Sequence, residues 1–287
     1  IGKVSNRWGW GFVSISVIMI SVLVFIPMIQ SFLLSLQSGQ GNQLTFAGLS
    51  NYKRMLTDTT FRKALVNTFL YLLVQVPVMI ILALFISVLL NDKKLKCRSF
   101  FRIAIFLPCV TSLVSYSLIM KSIFSGDGLV NQILMAMHLI SEPIGWTTSP
   151  AFAKALIIIS ITWRWTGYNM IFYLSGLQNI DPSIYEAAEL DGCNGFQKFF
   201  KIIVPQLKPI ILFTTITSTI GTLQLFDEVK NITDGGPANT TLTISQYIYN
   251  LCFKYTPNFG YAAAIAFVVL VMIAILSAIQ MKVGGDD

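Results

Sequence analysis

The chain has 287 residues, of which 54% are hydrophobic and only 11% charged, where a soluble domain carries about 25% charged residues. No water-soluble core hides that much apolar surface, so the composition places the chain in a membrane. The formal net charge of +7 comes without a basic patch interleaved with aromatics, which disfavours nucleic acid as a partner and leaves the excess to act as a topology signal in cytoplasmic loops.

A helix needs about 20 mostly apolar residues to cross the hydrocarbon. Six runs approach or exceed that length. Residues 12–34 contain no charge, and 65–90 lie between Lys63 and Asp92. Residues 103–120 follow between Arg102 and Lys121, and 155–177 are interrupted only by Arg164. Residues 210–226 form a short run between Lys208 and Asp227, and 261–281 form the last. The pattern predicts an all-α integral membrane protein, a single transmembrane domain over residues 1–287 with six spans. Reading the first run as a cleaved signal peptide fits less well, because its apolar stretch is longer than the usual 7–15 residues and no A-x-A-like site follows.

An even number of spans puts both termini on one side. The loop "NDKKLKCRSFFR" (91–102) carries five basic residues and one acid in 12 positions, a marker of the cytoplasm. The N-terminus with Lys3 and Arg7, the 178–209 segment and the C-terminus are then inside. Loops 35–64, 121–154 and 227–260 are outside. Lys53, Arg54, Arg62 and Lys63 run against this bias, so the orientation rests on the 91–102 loop.

The six runs contain no Asp, Glu or His and a single Arg. Proton-driven carriers place titratable groups at mid-membrane, and the one histidine, His138, falls in a loop. Sodium coupling through unwound backbone carbonyls stays open. No G-x-x-x-x-G-K-[ST] motif occurs, so this chain cradles no nucleotide phosphates. Catalytic and metal-binding constellations are equally absent, and Cys97, Cys109, Cys193 and Cys252 are scattered without a CxxC pair. The chain reads as a non-enzyme whose energy, if transport is active, comes from another polypeptide.

Residues 181–205 are unusually polar for this chain and read as a helical hairpin. Asp181 is a good N-cap and Pro182 suits the first helical position. "SIYEAAEL" follows, and Gly192 stands where a C′ glycine ends a helix. Asn194 caps a second helix, "GFQKFFKII", expected to stop at Pro205, with Pro209 opening the fifth span. The first helix, at about ten residues, is too short to stand alone in water and needs a docking surface. Phe196, Phe199, Phe200 and Ile203 form an apolar stripe at i, i+3, i+4, i+7. The hairpin either lies on the membrane surface or plugs into a cytoplasmic partner.

Glu186-Ala187-Ala188, three residues, Gly192, nine residues and Ile202-x-Val204-Pro205 resemble the EAA loop of ABC-importer permeases, E-A-A-x3-G-x9-I-x-L-P, with Val204 for the leucine. "FAGLSNYKRML" (46–56), "RIAIFLPCVTS" (102–112), "TDGGPANTTLTISQYIY" (233–249) and the trailing "FGYAAAIAFVV" are similar, in order, to segments of the maltose-type carbohydrate permeases. The resemblance implies that the hairpin is a coupling helix seated in an ATPase subunit, with Glu186 as the polar contact. Ala187 and Ala188 would permit close approach, and Gly192 would make the turn. It further implies a second permease chain, usually a paralogue, and two ATPase subunits that hold ATP and Mg, this chain having no cofactor of its own. An external solute-binding protein would meet the loop of Gly235, Gly236 and Pro237, which by itself reads as a tight turn.

A sugar between helices calls for aromatic faces with hydrogen-bonding groups. In the fourth run Ile161, Trp165 and Tyr168 lie at i, i+4, i+7 with Asn169 beside them. In the fifth, Ser218, Gly221, Thr222 and Leu225 share one face, with Gln224 on an adjacent row. Trp165, Tyr168, Asn169, Ser218, Thr222 and Gln224 are thus the candidates for the substrate path, although the same residue types anchor interfaces and pack helices. Arg164 is open to three roles: substrate contact, a bond to a partner subunit, or an ion pair with Asp227 or Glu228, the last being preferred. Two other classes compete. A self-sufficient ion-coupled carrier predicts inverted-repeat halves, and no second EAA pattern occurs. A membrane scaffold predicts that the polar faces of the fourth and fifth runs are dispensable for uptake.

Overall fold

The computed structural model describes residues 2–41, 43–92 and 94–285. Ile1, Asn42, Lys93 of the basic loop, Asp286 and Asp287, and the side chains of Lys3 and Arg7, lie outside the described residues. The chain divides into two units, one of Ile1–Asp58 with Ile248–Leu270 and one of Thr59–Tyr247 with Val271–Asp287.

The first unit opens with α1 (Gly2–Ile20), a π-turn (Ser21–Phe25) and α2 (Ile26–Ser35). Residues Gly9–Ser35 form a membrane-crossing length whose most apolar stretch is not buried by the rest of the chain. This apolar rod matches the first predicted span. Past it the sequence expectation of an all-α chain fails locally. β1 (Gln37–Gln40) pairs antiparallel with β2 (Gln43–Phe46), Gln37 opposite Phe46. Gly41, at φ 57°, supplies the left-handed residue that such a tight hairpin needs. Asn51 of α3 (Ser50–Thr57) clamps the base, its Nδ2 donating to the carbonyls of Ser35 at 2.9 Å and Gln37 at 2.7 Å. The Arg54 guanidinium lies 4.2 Å over the Tyr261 ring, whose hydroxyl donates to Asp58 Oδ2 at 2.7 Å. Arg54, one of the cations that broke the charge bias, therefore has a local structural use.

The second unit is built on α4 (Thr59–Asn91) and α8 (Pro150–Gln178), which pack along each other. Between them come α5 (Arg98–Val110), α6 (Leu113–Ile123) and the short α7 (Leu129–Ala136). α5 and α6 occupy the third predicted span but are bent by 108°, a correction to the single helix expected at 103–120. Pro108 removes one backbone donor near the end of α5. Thr111 and Ser112 then turn extended, at ψ 152° and 134°, and Thr111 Oγ1 satisfies the Pro108 carbonyl at 3.1 Å.

After α8 the chain forms α9 (Pro182–Leu190) and α10 (Gly195–Lys198), then a π-turn (Phe199–Ile203), α11 (Val204–Leu223), α12 (Asp227–Ile232), α13 (Ile244–Tyr249) and α14 (Phe259–Gly284). The expectation that the hairpin's second helix stops at Pro205 and that Pro209 opens a new span is corrected here. Gly195–Leu223 is one continuous apolar helix, with both prolines inside it. The π-turn widens the backbone where the Pro205 ring would otherwise meet the Lys201 carbonyl.

By length and apolarity, four helices among the described residues can cross a membrane (9–35, 59–91, 195–223 and 259–284), or five if the bent pair is one span. α8 is long enough but not apolar enough to pass the same test. Its sequence explains why. Ser160, Thr162, Thr166 and Asn169 are all buried along it, packed inside the protein rather than exposed to lipid, so this helix has no need of a greasy surface all round. Apolar clusters sit at both ends of α8. One gathers Tyr71, Tyr116, Leu156, Ile157 and Val229, the other Ala83, Met170, Tyr173, Leu177 and Leu207.

Candidate functional site

A cavity of about 280 Å³ opens among α5, α8 and α11, lined by Cys109, Arg164, Trp165, Tyr168 and Thr217. Trp165 and Tyr168, three residues apart on α8, meet edge to face with ring centroids 5.6 Å apart. Opposite Trp165, α11 carries Gly221, where a Cβ would stand only 3.0 Å from the indole. The missing side chain thus makes room for the ring. Cys109 closes the end of α5 and donates its Sγ–H to the Arg164 carbonyl at 2.8 Å. α5 comes this near because Gly167 of α8 faces it, a Cβ there falling 2.2 Å from the Ile105 carbonyl oxygen.

Arg164 Nη1 donates to Glu228 Oε1 at 3.1 Å, with the two side chains 20% and 4% exposed. The preferred expectation of an ion pair therefore holds with Glu228 rather than Asp227. The guanidinium carbon lies 5.8 Å from the centre of the Trp165 ring. Its Nε–H is buried and has no acceptor among the described residues. Burial pushes the Glu228 carboxyl up, while its own backbone amide and Arg164 pull it back.

The other substrate-path candidates lie elsewhere. Asn169, Ser218 and Thr222 do not line the cavity but sit, at most 2% exposed, in a polar cluster with Gln75 and Met79 of α4. Asn169 Nδ2 donates to the Trp165 carbonyl at 2.8 Å and reaches Met79 Sδ at 3.0 Å and Ser218 Oγ at 3.4 Å. Thr222 Oγ1 donates to Gln75 Oε1 at 2.9 Å. Such contacts join helices where no water is at hand. Gln224 is exposed, just past the end of α11. Of the six candidates the structure brings Trp165 and Tyr168 together at the cavity. It adds Cys109 and Thr217, which residue spacing on single helices had not pointed out.

The hairpin is held by its own caps. Asp181 Oδ1 accepts from the Ser183 amide at 2.9 Å, which keeps the Asp181 carboxyl below its ordinary value. Gly192 takes φ 73°, the left-handed conformation of a C′ glycine. Asn194 and Gln197 form a reciprocal capping box at 2.8 and 3.0 Å. Lys198 Nζ bridges the turn to Glu189 Oε1 at 2.7 Å, and that hydrogen bond holds the Glu189 carboxyl below its ordinary range. Glu186 and Ala187 are exposed, as is Gly192, but Ala188 is buried. At 100° per residue, Ala188 points away from Glu186, so these four residues do not share one face. Leu190 and Phe196 are strongly exposed beside them.

In the 233–243 segment, Asp234, Gly235, Ala238 and Asn239 all have positive φ, flanking Gly236 and Pro237. Asn67 of α4 pins the segment by donating to the carbonyls of Leu242 at 3.0 Å and Asn239 at 3.3 Å. Thr241 Oγ1 donates to the Gly236 carbonyl at 2.8 Å. The loop expected from its glycines is thus a pinned structure against α4.

A family model described as "Binding-protein-dependent transport system inner membrane component" matches residues 97–283. The chain is similar to the lactose transport system permease protein LacF of Rhizobium radiobacter, 56% identical over 274 residues, covering 95% of this chain and 92% of that one. It is also similar to the arabinooligosaccharides transport system permease protein AraP of Bacillus subtilis, 36% identical over 276 residues, covering 93% and 86%. Its fold is similar to that of a chain in the crystal structure of a bacterial ABC transporter involved in the import of the acidic polysaccharide alginate, with TM-score 0.83 at 21% identity, covering 98% and 96%.

Proposed function

Because the chain belongs to the family of binding-protein-dependent transport system inner membrane components, we propose that it is the permease subunit of a bacterial ABC importer for a sugar or oligosaccharide delivered by an external binding protein. One observation carries the mechanism: the hairpin's second helix runs without a break into α11, the helix that places Thr217 at the cavity. A push at the hairpin reaches the cavity wall along one continuous helix.

In this reading the membrane holds six spans, with α8 and the bent α5–α6 pair completing the four continuous apolar helices. The hairpin and both termini face the cytoplasm. Glu186, Ala187 and the Gly192 turn meet a partner ATPase subunit, and Ala188 packs the helix against its own chain. Two such ATPases bind ATP and Mg, and a second permease, a paralogue, completes the pore. Gly235, Gly236 and Pro237 stand on the outer side, in the loop that faces the binding protein. Trp165 and Tyr168 offer ring faces to the sugar, while Arg164, Thr217 and Cys109 line the rest of the cavity.

The similarity to a lactose permease makes lactose the first sugar to test. The assay is ATP-dependent uptake in vesicles holding this chain, its partner permease, the ATPase and the binding protein. Glu186→Lys is expected to abolish both uptake and ATPase co-purification while the chain stays in the membrane. ATP-independent uptake, unchanged in that variant, would overturn the proposal in favour of an ion-coupled carrier.

A further inference from the structure

Among the cavity's lining residues Arg164 alone is charged, and that charge is matched from behind by Glu228, whose side chain is 4% exposed. The matched pair leaves the cavity polar but close to neutral. The guanidinium keeps one buried donor, Nε–H, without an acceptor among the described residues. A buried donor left unmade is costly, and a turn of the side chain that bares the Nε–H to the cavity lets a sugar hydroxyl or ring oxygen supply the acceptor. A carboxylate on the ligand faces a different balance. It would bring a second negative charge to a pair that Glu228 already neutralises, with no other cation among the lining residues to balance it.

Resting on the sugar-importer reading, we infer that Arg164, charge-matched by Glu228, determines the specificity of the cavity and selects neutral saccharides over acidic ones. Two elements carry this division of labour. α8 places the guanidinium beside the Trp165 ring, and α12 holds the countercharge out of the ligand's reach. Removing the countercharge frees the cation for an acidic ligand. Replacing the guanidinium by an ammonium keeps the pair but withdraws the Nε–H.

The test uses the intact transporter complex in nanodiscs, without the binding protein, so that the permease's own preference is read. Probes are lactose and lactobionate, which carries a carboxylate where lactose has its reducing carbon. Binding is followed by tryptophan emission and checked by calorimetry. The wild-type complex is expected to favour lactose. Glu228→Gln is expected to tighten lactobionate binding relative to lactose by about 10- to 100-fold, the weight of a hydrogen bond to a charged group. Arg164→Lys, which preserves the ion pair and with it the fold, is expected to weaken lactose by about 2- to 10-fold. Equal binding of both probes by the wild type, or an unchanged preference in Glu228→Gln, overturns the inference. If Glu228→Gln does not assemble, unchanged lactose binding in Arg164→Lys overturns it alone. A wild-type complex that imports lactose with its binding protein but fails these arms refutes only this inference. One that neither binds nor imports any saccharide refutes the sugar reading, and the inference falls with it.

Discussion

Asn169 Nδ2 lies 3.0 Å from Met79 Sδ, bringing α8 and α4 together through a polar contact in the middle of two membrane-length helices. Both residues are fully buried. Asn169 also holds the Trp165 carbonyl, so one side chain supports the turn of α8 that displays the cavity's indole.

Asn169→Ala is therefore expected to act on stability and not on sugar contact. Interhelical hydrogen bonds in membranes contribute about 0.6 kcal/mol each and up to roughly 1.7. A loss in that range should appear as a lower melting temperature of the solubilised complex, while the apparent affinity for sugar in uptake assays stays as in the wild type. A raised KM with an unchanged melting temperature would place Asn169 in the substrate path after all.

Gly167→Ala tests how closely α5 must approach α8. The added Cβ would fall 2.2 Å from the Ile105 carbonyl oxygen, and backbone cannot swing aside as a flexible side chain does. Overpacking of this kind costs about 1–3 kcal/mol. The expected result is a lower melting temperature together with weaker sugar binding, since the shift displaces Cys109 from the cavity wall. Gly167→Ser should do no better. A fully stable alanine variant would mean that α5 is not fixed against α8.

The hairpin carries a pH dependence of known sign. The carboxyls of Asp181 and Glu189 are both held below their ordinary values, by the Ser183 amide and by Lys198. A depressed carboxylate contributes stability that is fully present above the unfolded-state value and lost as pH falls through the folded-state value. The protection of amides over residues 181–203, relative to their unfolded exchange rates at the same pH, should thus be steady near neutrality and fall once pH drops below about 4. Lys198→Met should remove the Glu189 share of that change. Exchange that is equally protected at pH 3 and pH 7 would show that the caps contribute nothing.

The caps themselves were legible in the sequence because capping is local. Asp181, Pro182, Gly192 and Asn194 act on amides within three residues of themselves, so their types and spacing suffice. Arg164 was legible for a different reason: a lone cation in an apolar run needs a partner, and few acids lie within reach. The polar cluster was not legible. Helical spacing puts Asn169, Ser218 and Thr222 on definite faces, but which face meets another helix and which meets a cavity depends on the neighbour. The bend between α5 and α6 also escaped hydropathy, since a window average passes over the Pro108–Ser112 break. The same averaging hid the hairpin's continuity with α11, where two prolines suggested an interruption that a π-turn absorbs.

Cys109 offers a direct view of the cavity in the assembled transporter. Its thiol is half-buried, lines the cavity and donates to the Arg164 carbonyl. Cys97, Cys193 and Cys252 are free as well, so the experiment starts from a variant in which those three are replaced by serine. A methanethiosulfonate reagent should then modify Cys109 alone, and the attached group should occupy a large part of a space of about 280 Å³, abolishing ATP-driven uptake. Saturating sugar should slow the modification, because ligand and reagent compete for one volume. Cys109→Ala should transport and resist the reagent. If sugar gave no protection and the modified protein still transported, the cavity of Trp165 and Tyr168 would lie off the substrate path, and the search would move to the exposed end of α11 at Gln224.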